Sequence, residues 1–277
     1  MKSKKIVIGS IIIIIGFIVY LFLFGKLFPY SPIILGFSKH ELTNSIVYVQ
    51  KSSKFTEYET IDTLIPSVEN FHDLKFKRKP EIFIFRDNLA YIHHSPTKAR
   101  FCAFSNGRLV ISPWALRENL EEKISLTIYV KHELSHVLIF QYKGLFSELK
   151  YPKWLLEGIA VYSTNQMGTS FYPSKEETYH AIAQGNFLPP SYFKTKKEND
   201  VKLNVKYRVA FMYSEFACIV DYLVLKYGKT KFLLYMKSLI KSNDHDKIFK
   251  RIYGIDFDEF LVDFRKFVEK TWNYKMT

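Results

Sequence analysis

The sequence predicts an α+β chain that is mainly helical, with a small sheet in its first half and a single apolar helix ahead of it. Three features carry this expectation. Residues Ile6 to Phe24 run for 19 residues without a charge and include five consecutive isoleucines. Four short runs, at 45–50, 81–85, 100–104 and 108–111, are largely apolar and bounded by turn residues, as strands are. From Pro113 onward, apolar residues recur mostly at three- and four-residue spacing, the period of a helix.

At 277 residues the chain is long enough for one large domain or two subdomains sharing a cleft. An apolar content of 48% and an aromatic content of 17% exclude a disordered chain. The net charge of +13 fits either a lysine-solvated surface or attraction to anionic lipid, wall polymer or nucleic acid. No basic helix with interleaved aromatics and no zinc-finger spacing is present, so nucleic acid is not expected as a partner. Cys102 and Cys218 form no Cys-x-x-Cys pair and no disulfide framework. Cys218 reads as a small core residue, and a bridge between the two stays open.

At 1.5 Å per residue the 6–24 run spans about 28 Å, close to the roughly 30 Å hydrocarbon thickness of a bilayer. Its length, and the lack of a small-residue cleavage site in Gly25-Lys26-Leu27-Phe28-Pro29-Tyr30 after it, favour an uncleaved anchor over the competing reading, a cleavable signal peptide. Lys2, Lys4 and Lys5 precede the run and only Lys26 directly follows it. That bias predicts a single-pass protein with a cytoplasmic N-terminus and the remainder extracytoplasmic. Residues 1–26 are thus expected to be the membrane anchor, and 27–37 an apolar, Pro-broken juxtamembrane segment resting at the membrane surface. One domain is expected over 38–277, divided into 38–143 with the sheet and a long helix, and a helical part at 144–277.

Within that domain, 58–71 has one apolar helical face interrupted by Pro66. Asn106-Gly107 between 100–104 and 108–111 is a hairpin turn signal. Ser112-Pro113 can open a short helix. Asn119 with Glu122 is expected to cap a long helix ending at Tyr142 and Gly144. Pro152 precedes a second helix, and Ser174 with Glu177 forms a capping box. Residues 194–202 read as a charged, exposed loop. Three further helices follow at 208–227, 230–241 and 256–272.

The long helix carries His132-Glu133-x-x-His136. Residues four apart lie on one helical face, so the two imidazoles can address one metal ion. Glu133 sits about 100° round the helix, beside that ion, where a carboxylate can hold a proton. Catalytic zinc usually takes a third protein ligand, and Glu157 on the following helix is the best candidate.

The pair of motifs His132-Glu133-x-x-His136 and Trp154-Leu155-x-Glu157-Gly158-x-Ala160 resembles the gluzincin class of zinc metallopeptidases, particularly the small peptidase MA-like domains. The specific match covers 130–160, with a weaker likeness from Tyr213 to Gly228. The resemblance implies a zincin-like metallopeptidase domain that binds Zn2+ through His132, His136 and Glu157, with Glu133 as catalytic base. It implies hydrolysis of a peptide or protein substrate, and an antiparallel strand of the hairpin lying beside the cleft to pair with that substrate. Tyr213 is the candidate oxyanion donor, matching a Tyr of similar placement in related enzymes; a packing role for it is equally open. His93, His94 and His180 are secondary candidates. No Gly-x-Met-Glu-Asn stretch is present to bind a free amino terminus, which speaks against aminopeptidase specificity. The alternatives are a catalytically inactive envelope-binding module and a zinc hydrolase of a non-peptide amide.

Overall fold

The computed structural model describes residues 2–273 except Ser52, Lys54 and Leu145, and no side-chain detail for residues 2–5, Glu148, Trp272 or Asn273. The three lysines behind the orientation argument, Lys2, Lys4 and Lys5, therefore lie outside the described side chains.

Helix α1 (Lys2–Phe24) holds the stretch Ile6–Phe24, long and apolar enough to cross a membrane, with mean hydropathy 3.0 and no part of it buried. The chain continues through β1 (Phe37–Glu41), β2 (Ile46–Gln50), α2 (Tyr58–Thr63), α3 (Ile65–His72), β3 (Glu81–Ile84), α4 (Asn88–His94), β4 (Phe101–Phe104) and β5 (Arg108–Ile111). All later elements are helices: α5 (Pro113–Leu120), α6 (Leu126–Lys143), α7 (Ser147–Lys150), α8 (Lys153–Ser163), α9 (Lys175–Ala183), α10 (Arg208–Tyr227), α11 (Lys229–Lys241), α12 (His245–Tyr253) and α13 (Phe257–Asn273). The expected class, mainly helical α+β with a small sheet before the motif helix, is the class found. Strand β1 and helices α4 and α12 were not anticipated.

The five strands form one mixed sheet in the order β1-β2-β3-β5-β4. β2, β3 and β5 run parallel, while β1 and β4 are antiparallel edges. Alternation along the strands sends Val47, Val49, Ile82, Ile84, Leu109 and Ile111 into the main core under α6. It sends Phe83, Phe85 and Val110 to the opposite face, into a second, aromatic core.

That second core draws in residues ahead of Ser38. Phe28 is fully buried, stacked on Phe37 and edge-on to Phe83 and Phe85. Arg108 donates to the carbonyls of Pro29 (3.0 Å) and Ser31 (2.6 Å), and Asn106 donates to Pro29 (2.7 Å). Phe28 and Phe37 thus pack on a sheet face that would otherwise expose phenylalanines. Phe28→Ala is expected to cost about 3–5 kcal/mol, the usual range for a buried Phe. A chain beginning at Leu27 should therefore melt well above one beginning at Ser38; equal melting temperatures would contradict the docking.

The long helix also starts later than expected. α5 ends at Leu120, Glu122 adopts a left-handed backbone (φ 55°), and α6 begins at Leu126 with Ser125 as its cap. Asn119 still caps it, but across the intervening turn, accepting from the Leu126 N–H at 2.8 Å. Pro66 splits 58–71 into α2 and α3. Gly144 ends α6 with φ 83°, the Ser174–Glu177 capping box forms, and the 101–111 hairpin turns through Gly107 at φ 83°. Cys102 and Cys218 are not bridged.

Candidate metal centre

Every residue from Trp154 to Val161 is buried, because α8 is packed between α6 and α10. The closest approach is at Gly158: a Cβ there would lie 2.7 Å from the carbonyl oxygen of Phe216 on α10. Only glycine permits α8 to sit this deep, and the depth brings Glu157 over the histidine face of α6.

His132, His136 and Glu157 are each more than nine-tenths buried. His132 Nε2 lies 3.1 Å from His136 Nε2, and Glu157 Oε2 lies 3.3 and 3.4 Å from those two nitrogens. A tetrahedral zinc with bonds of about 2.0–2.1 Å holds its ligand atoms about 3.3–3.4 Å apart, so this triangle fits one face of such a site. The tautomer fits as well. His132 Nδ1 is 2.8 Å from Gln166 Oε1, an amide oxygen that only accepts. With a cation bound, Nδ1 would keep the proton and Nε2 would offer its lone pair between His136 and Glu157.

Burial alone would push the Glu157 carboxyl up, but its bonds to His132 and His136 outweigh that and hold it well below the usual carboxylate range. Burial lowers the His132 imidazole, and Glu157 and Glu133 raise it by more. The pocket thus holds an ionised carboxylate against two imidazoles and favours a shared cation.

Glu133 is half-buried beside this cluster. Its Oε2 accepts the N–H of Ala103 at 2.8 Å, from the outer strand β4. Together with His136, Glu157, Lys194 and Tyr213, these groups line a cleft of about 380 Å³. Tyr213 is brought to the site: its ring lies near-parallel to that of His132 (centroids 6.3 Å) and edge-on to Phe193. Burial first, then the Glu157 carboxylate, push its phenol up, so it remains a hydrogen donor. The secondary histidines lie elsewhere, His93 against Tyr20 of α1, His94 on the Ala90 carbonyl and His180 on Gln184.

Two residues escaped the sequence reading. Gln166, fully buried beyond the end of α8, orients His132. Lys194 lies in the exposed loop that the composition predicts, and from there its Nζ reaches within 3.3 Å of Glu157 Oε1. Behind α6, buried His72 (lowered by burial to about 4) is neutral and accepts from the Ser135 hydroxyl, which pins α6 to α3. Gln166→Ala should weaken zinc binding about 10–100-fold, the usual cost of losing a ligand's hydrogen-bond partner. Competition with a chromogenic chelator checks this, and unchanged affinity would remove Gln166 from the site.

Three convergent donors, with the Glu133 carboxylate beside them in a cleft between a sheet edge and a helical layer, form a group that could hold a metal ion. Residues 127–270, more than half of the chain, match the profile of the Peptidase MA superfamily, and the chain belongs to that superfamily. No curated protein sequence matches it. Among solved structures it is similar to an M1 zinc metallopeptidase from Deinococcus radiodurans (15% identity, TM-score 0.41) and to a mutant of that enzyme (16%, 0.43). The alignments cover 84% of this chain, which spans about half the length of those proteins (50% and 51%).

Proposed function

We propose that the protein is a zinc-dependent peptidase, anchored in a membrane by residues 6–24, with its domain on the extracytoplasmic side. The observation that carries this reading is the 3.1–3.4 Å triangle of His132, His136 and Glu157 with Glu133 beside it. Zinc held by those three residues would supply Lewis acidity, polarising a carbonyl and making a water acidic near neutral pH. Glu133, with one oxygen fixed by Ala103, takes the proton of the attacking water on the other. It returns that proton to the amine nitrogen as the C–N bond breaks. Tyr213 donates its hydroxyl proton to the developing oxyanion. β4, an outer strand on the cleft side, pairs with the extended substrate backbone.

The test is hydrolysis of a broad peptide library by the full-length protein in detergent, before and after chelation and again after zinc is restored. Turnover that is lost and regained supports the reading. Zinc bound without turnover of any peptide would favour the envelope-binding alternative, and turnover of other amides alone would favour the non-peptide hydrolase.

A further inference from the structure

We propose that the cleft selects substrates carrying a carboxylate next to the scissile bond, and that Lys194 is the residue that reads it. This rests on the peptidase reading and names its substrate class. The charges lining the cleft balance only when no metal is counted: Glu133 and Glu157 oppose Lys153 and Lys194. A divalent cation leaves two positive charges in surplus. A concave, partly apolar site focuses that field on whatever enters.

Lys194 is placed to use the surplus. Glu157 turns Oε2 to the two imidazoles and Oε1 to the Lys194 ammonium, so one negative charge serves both sides and neutralises neither. The Lys194 side chain lines the cleft, is about half exposed, and places its ammonium 5.1 Å from the centre of the Phe193 ring. Its backbone is braced. Lys194 has a left-handed φ of 56°, and its N–H donates to Glu198 Oε2 at 2.6 Å. Arg208 in turn holds the Glu198 and Val201 carbonyls at 2.8 and 3.0 Å. Lys194 is thus an exposed lysine whose left-handed backbone and braced turn hold it over a buried carboxylate.

The positive surplus does not extend along the cleft. Past Leu149 and Lys153, an adjoining concavity of about 710 Å³ is lined by Asp246, Asp256 and Asp258 together with Lys150 and Lys153, and Asp256 is paired with Lys250. Lys194 stands 3.3 Å from Glu157, one of the three converging donors, so the preferred carboxylate belongs beside the scissile bond and not several residues away. It can be an acidic side chain or the free carboxyl end of the peptide.

The experiment compares matched peptides on the full-length, zinc-loaded protein in detergent. One pair has Glu or Gln flanking the scissile bond, and the other ends in a free acid or an amide; the pair that responds identifies the source. The acid-bearing peptide should show about tenfold or more higher kcat/KM, carried by KM, the scale of a charge-assisted contact. The advantage should shrink as ionic strength rises. Lys194→Met should bring the ratio to about one, and Lys194→Arg should keep most of it. Fluorescence anisotropy of the same peptides on the Glu133→Gln protein should show the same preference in binding without turnover. Equal rates for acid and neutral peptides in the wild type, or a preference untouched by Lys194→Met, would overturn the inference. Hydrolysis of no peptide at all would instead overturn the peptidase reading, and this with it.

Discussion

Glu133→Gln should lower kcat for peptide hydrolysis by about a thousandfold while leaving zinc content unchanged. The substitution is isosteric, and the amide oxygen can still accept the Ala103 N–H that holds the side chain against β4. What it cannot do is take a proton from water and pass it to the leaving amine. Positioned proton transfer contributes about 10²–10⁴-fold, so the loss falls in kcat. Glu133 is not in the converging triangle, which is why the metal should stay. Turnover within tenfold of wild type would show that another group carries the proton. Loss of zinc together with turnover would show that Glu133 is a ligand.

Gly158→Ala should destabilise the fold by about 2 kcal/mol or more and weaken zinc binding with it. An Ala in a helix interior gains up to about 1 kcal/mol over Gly, so propensity alone predicts a more stable protein. Packing reverses the sign. The new Cβ would lie 2.7 Å from the Phe216 oxygen and 2.9 Å from its carbonyl carbon, both backbone atoms of a helix fully buried along that face. Overpacking of this kind costs about 1–3 kcal/mol, and more where backbone must shift. The only relief is to slide α8 off α10, and Glu157 is the neighbouring residue, so the triangle opens as the strain is released. Urea unfolding and chelator competition on the same variant check both halves. A variant as stable as wild type with undiminished zinc affinity would show that the contact yields without moving α8.

The two halves of this site differ in how legible they are from sequence. His132, Glu133 and His136 are legible because one helical turn fixes their relation whatever the fold does. Glu157 is legible because a third donor is chemically required and the following helix offers one. Gln166 and Lys194 are not, because each reaches the site through tertiary packing: one from a turn after α8, the other from a loop whose composition reads as solvated. The same limit explains Phe28. Next to an apolar span, an apolar segment looks like a membrane neighbour; only the aromatic face of the sheet, built from residues 37, 83 and 85, shows what it covers. The start of α6 was misplaced for a local reason. Asn119 is a cap, but its hydrogen bond spans a turn in which Glu122 is left-handed, a conformation that the residue type does not announce. Helix α12 was missed because His245 and Asp246 obscure its opening, although Ile248, Phe249 and Tyr253 carry its buried face.

Zinc stoichiometry on purified full-length protein, wild type beside His136→Ala and Glu157→Gln, tests the centre most directly. One tightly held zinc per wild-type chain, bound at least a hundredfold more weakly in each variant, is the expected result. A wild-type chain that takes up no stoichiometric zinc, or variants that hold it as tightly, would contradict the account.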